Sequence, residues 1–479
     1  MSEFPRRVYL LRERDLPPET IAVAFAKASR SPEPFDQNAA ELNDARSAQF
    51  HEKWVVGYGH ASVAEHAVLH IAVENVSRLA IESIESNRLA SFTEKSTRYQ
   101  KWSGGAFVVP PEVAGSPAEK SYREACARLL DTYLRSLETV GGLARKRFPR
   151  QEGEGDSRWE GRIRSSYVDV CRYLLPAAVL ANVGITINAR TLEHAIRKML
   201  SHPLAEVRSI GVEIKQTALA EVPTLVKYAQ ENPYLRETPE TFRRACVLLG
   251  IPPAAAEDPP RAWMRLVHWE ADAEDRALAA AGVRFCGWGY AESLARIRAA
   301  SADERRRLAD ALVGGLGEFD LPLRELEHIT YTFEAVMDQG AYFEVKRHRM
   351  MSQTPGPLGC DLDYLTPRWF EEAGFLAEYD SAMDRAAGEF HALRNAAGSD
   401  VAAYLVPNGF LRRLVFTMNL REAFHFCRLR ASEGAHTAVR ILALQAAEQI
   451  RSVHPLLSAR MGLDDKPDWK ALENNFFRQ

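Results

Sequence analysis

The chain is poor in cysteine and lacks the cysteine patterns that would identify its class. Its six cysteines are scattered over 479 residues without a C-x-x-C pair. This distribution does not favour a zinc ribbon or a disulfide scaffold, and it is typical of a reducing compartment. We therefore expect a cytoplasmic protein with no metal site.

An excess of one charge and a long apolar run are also absent. Lys and Arg number 61 against 64 Asp and Glu, and the net charge is −3 with a pI near 6.5. This balance does not favour a large basic face for duplex nucleic acid, although local arginine clusters can bind phosphates. The most apolar stretch, Leu174–Ile187, is too short to span a bilayer and contains Asn182. Since the N-terminal MSEFPRRVYLL has no signal-peptide h-region, we expect no membrane segment.

What the chain does have is an internal repeat. Segments 174–199 and 404–430 match in step, because each has a proline followed by an asparagine twelve residues later and an arginine fourteen residues later. A Glu-His pair also precedes an arginine by 23 residues in the first half and by 22 in the second. The landmarks are Pro176, Asn188, Arg190, Glu65, His66 and Arg88 in the first half, and Pro407, Asn419, Arg421, Glu327, His328 and Arg349 in the second. We conclude that the chain is a diverged tandem duplication.

The duplication predicts two domains and a connector. With 479 residues, 46% of them hydrophobic, the chain is long enough to bury more than one core. The prolines of Gly250–Pro260 (GIPPAAAEDPP) cannot continue a helix and suit an exposed connector. We place the first copy at 1–235, a linker at 236–265 and the second copy at 266–479.

The pattern of the sequence indicates an α+β fold in which helix exceeds strand. After the Glu-His pair of each copy, the runs AVLHIAVENV and ITYTFEAVM are β-rich or alternate, as strands with one buried face do. Stretches 121–148 and 436–454 instead repeat apolar residues at spacings of three and four, which is typical of helices. Asn188 and Asn419 stand just before helical stretches, where an asparagine side chain can accept from unpaired N–H groups of the first turn.

Arginines concentrate in the second copy, several of them within otherwise apolar helical stretches. A planar guanidinium donates paired hydrogen bonds, so a group of them suits a ligand rich in phosphate, carbonyl and carboxylate oxygens. The competing interpretation is that each arginine pairs with an acid or lies in solvent, and that His348 is a structural histidine. These arginines are Arg347, Arg349, Arg413, Arg421, Arg428, Arg430 and Arg440.

From Gly59 to Tyr99 the first copy resembles a known enzyme family. It reads GHASVAEHAVLHIAVENVSRLAIESIESNRLASFTEKSTRY. This is similar to the G-H-x-S/T-x-x-E-H entry, the V-S-R step and the signature R-H-R-x-x-S-x-x-x-x-S-x-R-Y of flavin-dependent thymidylate synthase. The second copy resembles the family through EHITYTFEAVMDQGAYFEVKRHRMMS and through its arginine-bearing C-terminal helices. The resemblance implies two tandem copies of the family's mixed helix and antiparallel-sheet domain, forming a pseudodimer.

The resemblance also implies a chemistry. It implies an FAD cofactor, dUMP as acceptor, methylenetetrahydrofolate as carbon donor and NADPH as reductant. In that family reduced flavin carries the chemistry while the protein positions and polarises the substrate. The implied function is therefore flavin-dependent methylation of a pyrimidine deoxynucleotide, dUMP to dTMP or a related conversion.

Each copy lacks what the other keeps. The first copy has Ser86, Asn87 and Arg88 at the Arg-His-Arg positions, but it keeps the nucleotide loop 94–98. The second copy keeps Arg-His-Arg at 347–349, but proline and glycine stand at 357 and 359, where the loop needs serine and arginine. Because the family's active sites lie between subunits, we hypothesise that the two copies form composite sites. Two chains would then form a homodimer that resembles the family's tetramer.

The resemblance assigns roles to individual residues. Arg440 would face the pyrimidine and stabilise negative charge as N3 ionises. Glu344 stands where the family often has glutamine, so it can accept hydrogen bonds but cannot donate them. The substrate-binding residues would be Glu94, Lys95, Ser96, Thr97, Arg98, Glu344, Arg347 and Arg413. The cofactor-binding residues would be His60, Ser62, Glu65, Arg347, His348, Arg349, Arg428 and Arg430.

Three interpretations of function are open. The first is an active flavin-dependent nucleotide methylase. The second is a catalytically silent homologue that binds nucleotide or nucleic acid, or that only assembles, since both motifs are incomplete. The third is a flavoenzyme of unrelated chemistry, for which the sequence offers no positive sign.

Overall fold

The computed structural model describes residues 16–28, 35–40, 42–57, 61–251, 263–317, 320–463 and 465–478. His60 and most of the connector Gly250–Pro260 lie outside the described residues. Helix accounts for 59% and strand for 14%, so the chain is an α+β protein in which helix exceeds strand, as predicted. No helix within the described ranges is both long enough and apolar enough to cross a membrane.

The helices are numbered here in chain order. They are α1 Pro18–Ala28, α2 Phe35–Ala40, α3 Asp44–Phe50, α4 Arg78–Glu85, α5 Glu119–Arg147, α6 Asp156–Cys171, α7 Ala189–Leu200, α8 Ala205–Leu219, α9 Pro223–Val226, α10 Pro233–Leu248 and α11 Ala273–Cys286. They continue with α12 Tyr290–Ala299, α13 Ala302–Val313, α14 Gln339–Val345, α15 Arg368–Glu372, α16 Leu376–Ala397, α17 Ser399–Ala402, α18 Leu420–Arg430, α19 Thr437–Val453, α20 Pro455–Ser458 and α21 Trp469–Phe476. A π-helical segment, His51–Gly57, and 3-10 helices at Ala61–His66, Arg172–Leu174, Arg324–His328 and Ala403–Leu405 complete the helical structure.

The strands are β1 Val68–Ser77, β2 Ala90–Glu94, β3 Leu180–Asn188, β4 Met264–Trp269, β5 Thr330–Asp338, β6 Ser352–Pro355 and β7 Leu411–Asn419. The chain divides into two compact units. Of the described residues, the first unit contains those within 16–96, 106–119 and 178–251, and the second unit those within 97–105, 120–177 and 263–478. The second unit thus includes segments from both halves of the chain, and the division into copies at 235 and 265 stays a prediction.

The first unit is built on an antiparallel sheet of order β1-β3-β2. Alternate residues of β1 and β3, such as Leu69, Ile71 and Ile185, are buried, which is the pattern of strands with one face against a core. Val68 pairs with Asn188 at the end of β3. Asn188 then caps α7, because its side chain accepts the N–H of Thr191 at 2.9 Å.

Among the described residues, the second unit repeats this topology and has one strand more. In the described residues its sheet has the order β4-β5-β7-β6, in which β5-β7-β6 corresponds to β1-β3-β2. Thr330 pairs with Asn419, and Asn419 caps α18 by accepting the N–H of Glu422 at 2.9 Å. Both predicted asparagine caps are therefore confirmed, and each asparagine ends a strand and begins a helix in the same register.

Helices α4 and α14, which follow the corresponding strands β1 and β5, both have a carboxylate near the N-terminus, but it comes from different positions. In α4 the cap is Ser77, whose backbone N–H and hydroxyl both donate to Glu206, at 2.8 and 2.6 Å. In α14 the cap is Asp338, which accepts the N–H of Ala341 directly at 2.9 Å. The second residue of α8 is Glu206, whereas the second residue of α19 is Ala438. Each copy thus has one carboxylate at this helix terminus. It comes from Glu206 on α8 in the first copy and from the capping residue Asp338 in the second.

Two long helices from the two halves of the chain pack antiparallel within the second unit. Arg147, near the end of α5, pairs with Glu372 just before α16, at 2.8 Å. Arg128, nearer the start of α5, pairs with Glu389, nearer the end of α16. All of these side chains are partly exposed, so the ion pairs add little to the free energy of unfolding. Their positions show that the two helices run in opposite directions.

Candidate functional site

Arg98 lies in the second unit, in the loop that follows β2. The buried hydroxyl of Thr97 accepts a hydrogen bond from Arg172 at 3.1 Å, which anchors the loop. The guanidinium of Arg98 donates to Asp169 at 3.1 Å and to the carbonyl of Gly434 at 2.9 Å. Its side chain is 16% exposed, so the charge sits at a fixed and largely enclosed position.

Glu344 connects this loop to the C-terminus of α18. Arg430, the last residue of α18, donates to the carboxylate of Glu344 at 2.9 Å and to its backbone carbonyl at 3.0 Å. The other carboxylate oxygen, Oε1, lies 3.4 Å from a guanidinium nitrogen of Arg98. The carboxylate of Glu344 therefore lies between two guanidinium groups.

His348 is the next group along this path. Its Nε2 is 2.9 Å from Nε of Arg430, and its Nδ1 is 2.8 Å from a carboxylate oxygen of Glu422. Because a guanidinium can only donate, Nε2 accepts, and the ring proton is on Nδ1, where it donates to Glu422. Burial lowers the pKa of His348 and outweighs the hydrogen bond to Glu422, with Arg430 acting in the same direction as burial. His348 is therefore a neutral, buried imidazole that orients Arg430.

A second acid, Asp169 on α6, lies on the opposite side of Arg98. Its carboxylate is 2.9 Å from Nε of Arg172 and 2.8 Å from Nδ1 of His436, in addition to its bond with Arg98. Burial would raise the pKa of Asp169, but the charges of Arg172, His436 and Arg98 hold it well below its usual range. Burial acts to lower the pKa of His436, yet the charge of Asp169 raises it overall. Asp169 and Arg172 were not predicted, although an acid inside the apolar run YVDVC is a detectable signal.

We call this set the ionic chain. Within it every arginine contacts at least one carboxylate inside the second unit, and neutral His348 links Arg430 to Glu422. Its members, in spatial order, are Glu422, His348, Arg430, Glu344, Arg98 and Asp169, with Arg172 and His436 both paired to Asp169. It joins the nucleotide loop of the first half of the sequence to the Arg-His-Arg segment of the second half.

Each residue of the ionic chain has an equivalent position in the other copy of the repeat, and only one of these eight equivalent residues is ionisable. The prolines, asparagine caps and helix starts that the two copies share align the two copies residue by residue. Each of the eight positions of the ionic chain therefore has one equivalent position in the other copy. The partners are Thr191, Asn87, Met199, Ser83, Gly359, Asp400, Ala403 and Leu204, in the same order as Glu422, His348, Arg430, Glu344, Arg98, Asp169, Arg172 and His436. Eight ionisable residues thus correspond to one, which is the asymmetry expected when one of two duplicated sites keeps a role.

The remaining predicted residues of the second unit lie apart from the ionic chain or at its surface. Arg413 on β7 is 3.8 Å from Glu334. Arg428 donates to the backbone carbonyls of Met461, Gly317 and Arg460. Arg347 and Arg349 are exposed on either side of buried His348.

Arg440 lies on α19 and is half-buried. Its Nε is buried without a hydrogen-bond partner among the described residues. Burial lowers the pKa of Arg440, against the opposing charge of Glu433. An unsatisfied guanidinium donor in this position suits an oxygen of a ligand.

The predicted residues of the first unit differ in how deeply they are buried. Glu94 forms a buried ion pair with Arg78 at 2.9 Å. Glu65 is exposed and pairs with Arg190 at 2.5 Å, and Ser62 is exposed. Lys95 and Ser96 are half-buried. The substrate and cofactor roles assigned to all these residues stay predictions.

The fold and the repeated caps define an α+β protein composed of two copies of one domain. The chain belongs to the family described as thymidylate synthase complementing protein, whose sequence model matches residues 10–224 and again residues 265–456. The double match confirms the tandem duplication and the resemblance to flavin-dependent thymidylate synthase. Family membership supports a thymidylate synthase-like role.

Similar proteins fall into two length classes. A UPF0159 protein of Thermoplasma acidophilum is 25% identical over 462 residues, which cover 90% of this chain and 91% of that protein. A flavin-dependent thymidylate synthase of Clostridium tetani is 25% identical over 213 residues, covering 44% of this chain and 82% of that enzyme. A crystal structure of flavin-dependent thymidylate synthase from Helicobacter pylori, complexed with FAD and dUMP, is 20% identical and aligns with a TM-score of 0.31 over 40% of this chain and 96% of that one.

Proposed function

We propose that the protein is a cytoplasmic, flavin-dependent transferase that methylates a pyrimidine deoxynucleotide, with dUMP or a close relative as acceptor. Methylenetetrahydrofolate would be the carbon donor and NADPH the reductant. The family assignment and the flavin-dependent thymidylate synthases among its relatives support this proposal. We further propose that the chain is a pseudodimer and that two chains form a homodimer.

One observation carries the proposal. Arg98 and His348 belong to two motifs that are incomplete in separate halves of the sequence, and Glu344 and Arg430 connect them in the second unit. A composite site requires this convergence, whereas drift of two unused copies gives no reason for it. The nearly uncharged set of equivalent positions supports the same conclusion.

The residues on the cofactor side fit an anionic dinucleotide. Arg347 and Arg349 flank His348 in the sequence and are exposed, and guanidinium groups are suitable donors to a pyrophosphate. His348 itself is engaged on both ring nitrogens, so its contribution is to fix Arg430. FAD, when bound, would supply the reducing equivalents for the transferred carbon.

The residues on the substrate side would bind the nucleotide and stabilise charge on its base. Arg98, with Ser96 before it, would contact the phosphate. Arg440 would stabilise the negative charge that develops at the pyrimidine, and its buried, unsatisfied Nε supports that assignment. A guanidinium in a partly desolvated position stabilises such charge more than one in water does.

The test is to purify the full-length protein and measure its absorbance. We expect the bands of oxidised flavin, or their appearance after added FAD is removed by gel filtration, and binding of dUMP in a calorimetric titration. A folded protein that neither retains FAD nor binds dUMP would contradict the proposal.

A silent homologue is the second candidate, and one observation favours it. Arg98, Arg430 and His348 each already contact a carboxylate within the second unit. A cluster that satisfies its own charges can serve the fold alone. Under this alternative the protein is stable and colourless, and substitutions in the ionic chain change its stability without changing the binding of any nucleotide.

A further inference from the structure

The carboxylate of Glu344 occupies the position in which an anionic ligand would meet two arginines. One oxygen accepts from Arg430 at 2.9 Å, and the other lies 3.4 Å from Arg98. Two guanidiniums that converge on one oxyanion group form the usual arrangement for a phosphate. Here the oxyanion belongs to the protein itself.

Glu344 is also held firmly in this position. Its side chain is 5% exposed, and its neighbours Phe343 and Val345 on α14 are buried. Arg430 grips both its carboxylate and its backbone carbonyl, which fixes the side chain relative to the helix. The carboxylate of Glu344 therefore keeps its position when a ligand approaches.

Arg98 and Arg430 already have carboxylates in direct contact without a ligand. Arg98 contacts Glu344 and Asp169, and Arg430 contacts Glu344, while Asp169 is shared with Arg172 and His436. A phosphomonoester carries close to two negative charges at neutral pH, so its approach to Arg98 is opposed by both carboxylates. The equivalent of Glu344 on α4 is Ser83, which carries no charge.

We propose that Glu344 is a specificity-determining residue, a built-in anion that weakens binding of phosphomonoesters at Arg98 and favours ligands with less negative charge there. This inference rests on the proposed function, because it concerns the substrate side of the same site. It predicts that the phosphate of dUMP contributes less to affinity in the wild-type protein than it does in Glu344→Gln.

The experiment uses inorganic phosphate as the probe and calorimetric titration of the full-length protein. Glu344→Gln keeps the shape and an acceptor for Arg430 but removes the charge. We expect its affinity for phosphate to exceed that of the wild type by at least about tenfold, because one repulsive charge in direct contact has been removed. Glu325→Gln is the matched control, since Glu325 is also buried and paired with an arginine, Arg284. An unchanged or weaker phosphate affinity of Glu344→Gln overturns the inference.

A second variant locates the effect and guards against misfolding. Arg98→Ala in the Glu344→Gln background should abolish the gain, whereas a gain that persists places the phosphate elsewhere and contradicts the proposal. If Glu344→Gln does not fold, Glu344→Ser takes its place, because the chain itself has serine at the equivalent position 83. The phosphate result is independent of flavin and dUMP, so failure of the proposed function leaves this inference testable, and the reverse also holds.

Discussion

Pro176 and Pro407, which hold equivalent positions in the two halves of the repeat, pair with each other in an antiparallel bridge. The N–H of the residue after each proline donates to the carbonyl of the residue before the other proline, at 3.0 Å in both cases. Each of the two hydrogen bonds is the equivalent of the other in the repeat. The two bonds are therefore related by a local two-fold axis that passes between the prolines inside the second unit. This is the isologous contact of a symmetric dimer, here made within one chain.

The first prediction concerns the carboxylate that changed position between the copies. Glu206→Ala removes the acceptor of two hydrogen bonds from Ser77 and should lower the free energy of unfolding by about 1–3 kcal/mol. Adding Ser77→Asp reproduces the arrangement of Asp338 and Ala438, so the double variant should recover part of the loss. Urea denaturation of the three proteins measures this. A double variant less stable than Glu206→Ala would show that the two caps are not interchangeable.

The second prediction concerns Asp169, which pairs with three basic groups and whose loss should lower the free energy of unfolding. Asp169→Asn leaves Arg98, Arg172 and His436 short of negative charge in a buried site. Breaking a buried ion pair from one side costs about 3–5 kcal/mol, and we expect a loss of that order in urea denaturation.

The matched control is Asp400→Asn, the same change at the equivalent and exposed position. We expect it to change the free energy of unfolding by no more than about 0.5 kcal/mol, as surface substitutions usually do. Equal effects at 169 and 400 would mean that the ionic chain gives no special stability.

Much of this architecture was predictable because proline and asparagine are preferred at particular positions of secondary structure. Asparagine is a favoured residue just before a helix, and both asparagine caps lie at the predicted residues. The additional strand β4 was not predicted, and the described residues of the first copy contain no strand that corresponds to it. Helix α10 was not predicted either: it falls largely in the stretch assigned to the linker, and it buries no residue.

The ionic chain was only half predictable, because ion pairs between distant segments leave no spacing to read. Arg98 and Glu344 were proposed from motifs, but Asp169 was not, since nothing in the sequence links it to His436. Arg428 and Arg430 were grouped together, yet two residues apart on a helix they project in widely different directions. Arg430 reaches His348, whereas Arg428 donates to backbone carbonyls.

A third prediction follows from the raised pKa of His436. Its folded pKa lies above the ordinary value of 6.5, because Asp169 outweighs the effect of burial. Protonated His436 therefore stabilises the fold, with the full contribution below pH 6.5 and a loss as the pH rises through the folded pKa. The groups that face it are Asp169, Asp338, Tyr173 and Arg172.

The measurement is the free energy of unfolding in urea across neutral and alkaline pH. The wild type should lose stability on the alkaline side, and His436→Gln should lose less over the same range. A parallel decline of the two proteins would assign the pH dependence to other groups.

The last prediction tests whether His348 acts on the cofactor through Arg430. His348→Ala removes the acceptor for Nε of Arg430, whereas His348→Gln can still offer a carbonyl oxygen to it. If FAD binds at this site, we expect His348→Ala to retain much less flavin after gel filtration and His348→Gln to retain an intermediate amount, measured by absorbance per protein. A matched substitution at Asn87, the equivalent position on the uncharged side of the repeat, should leave retention unchanged. Equal loss in His348→Ala and His348→Gln would indicate that the imidazole contacts the cofactor directly, because orientation of Arg430 would then not account for the effect.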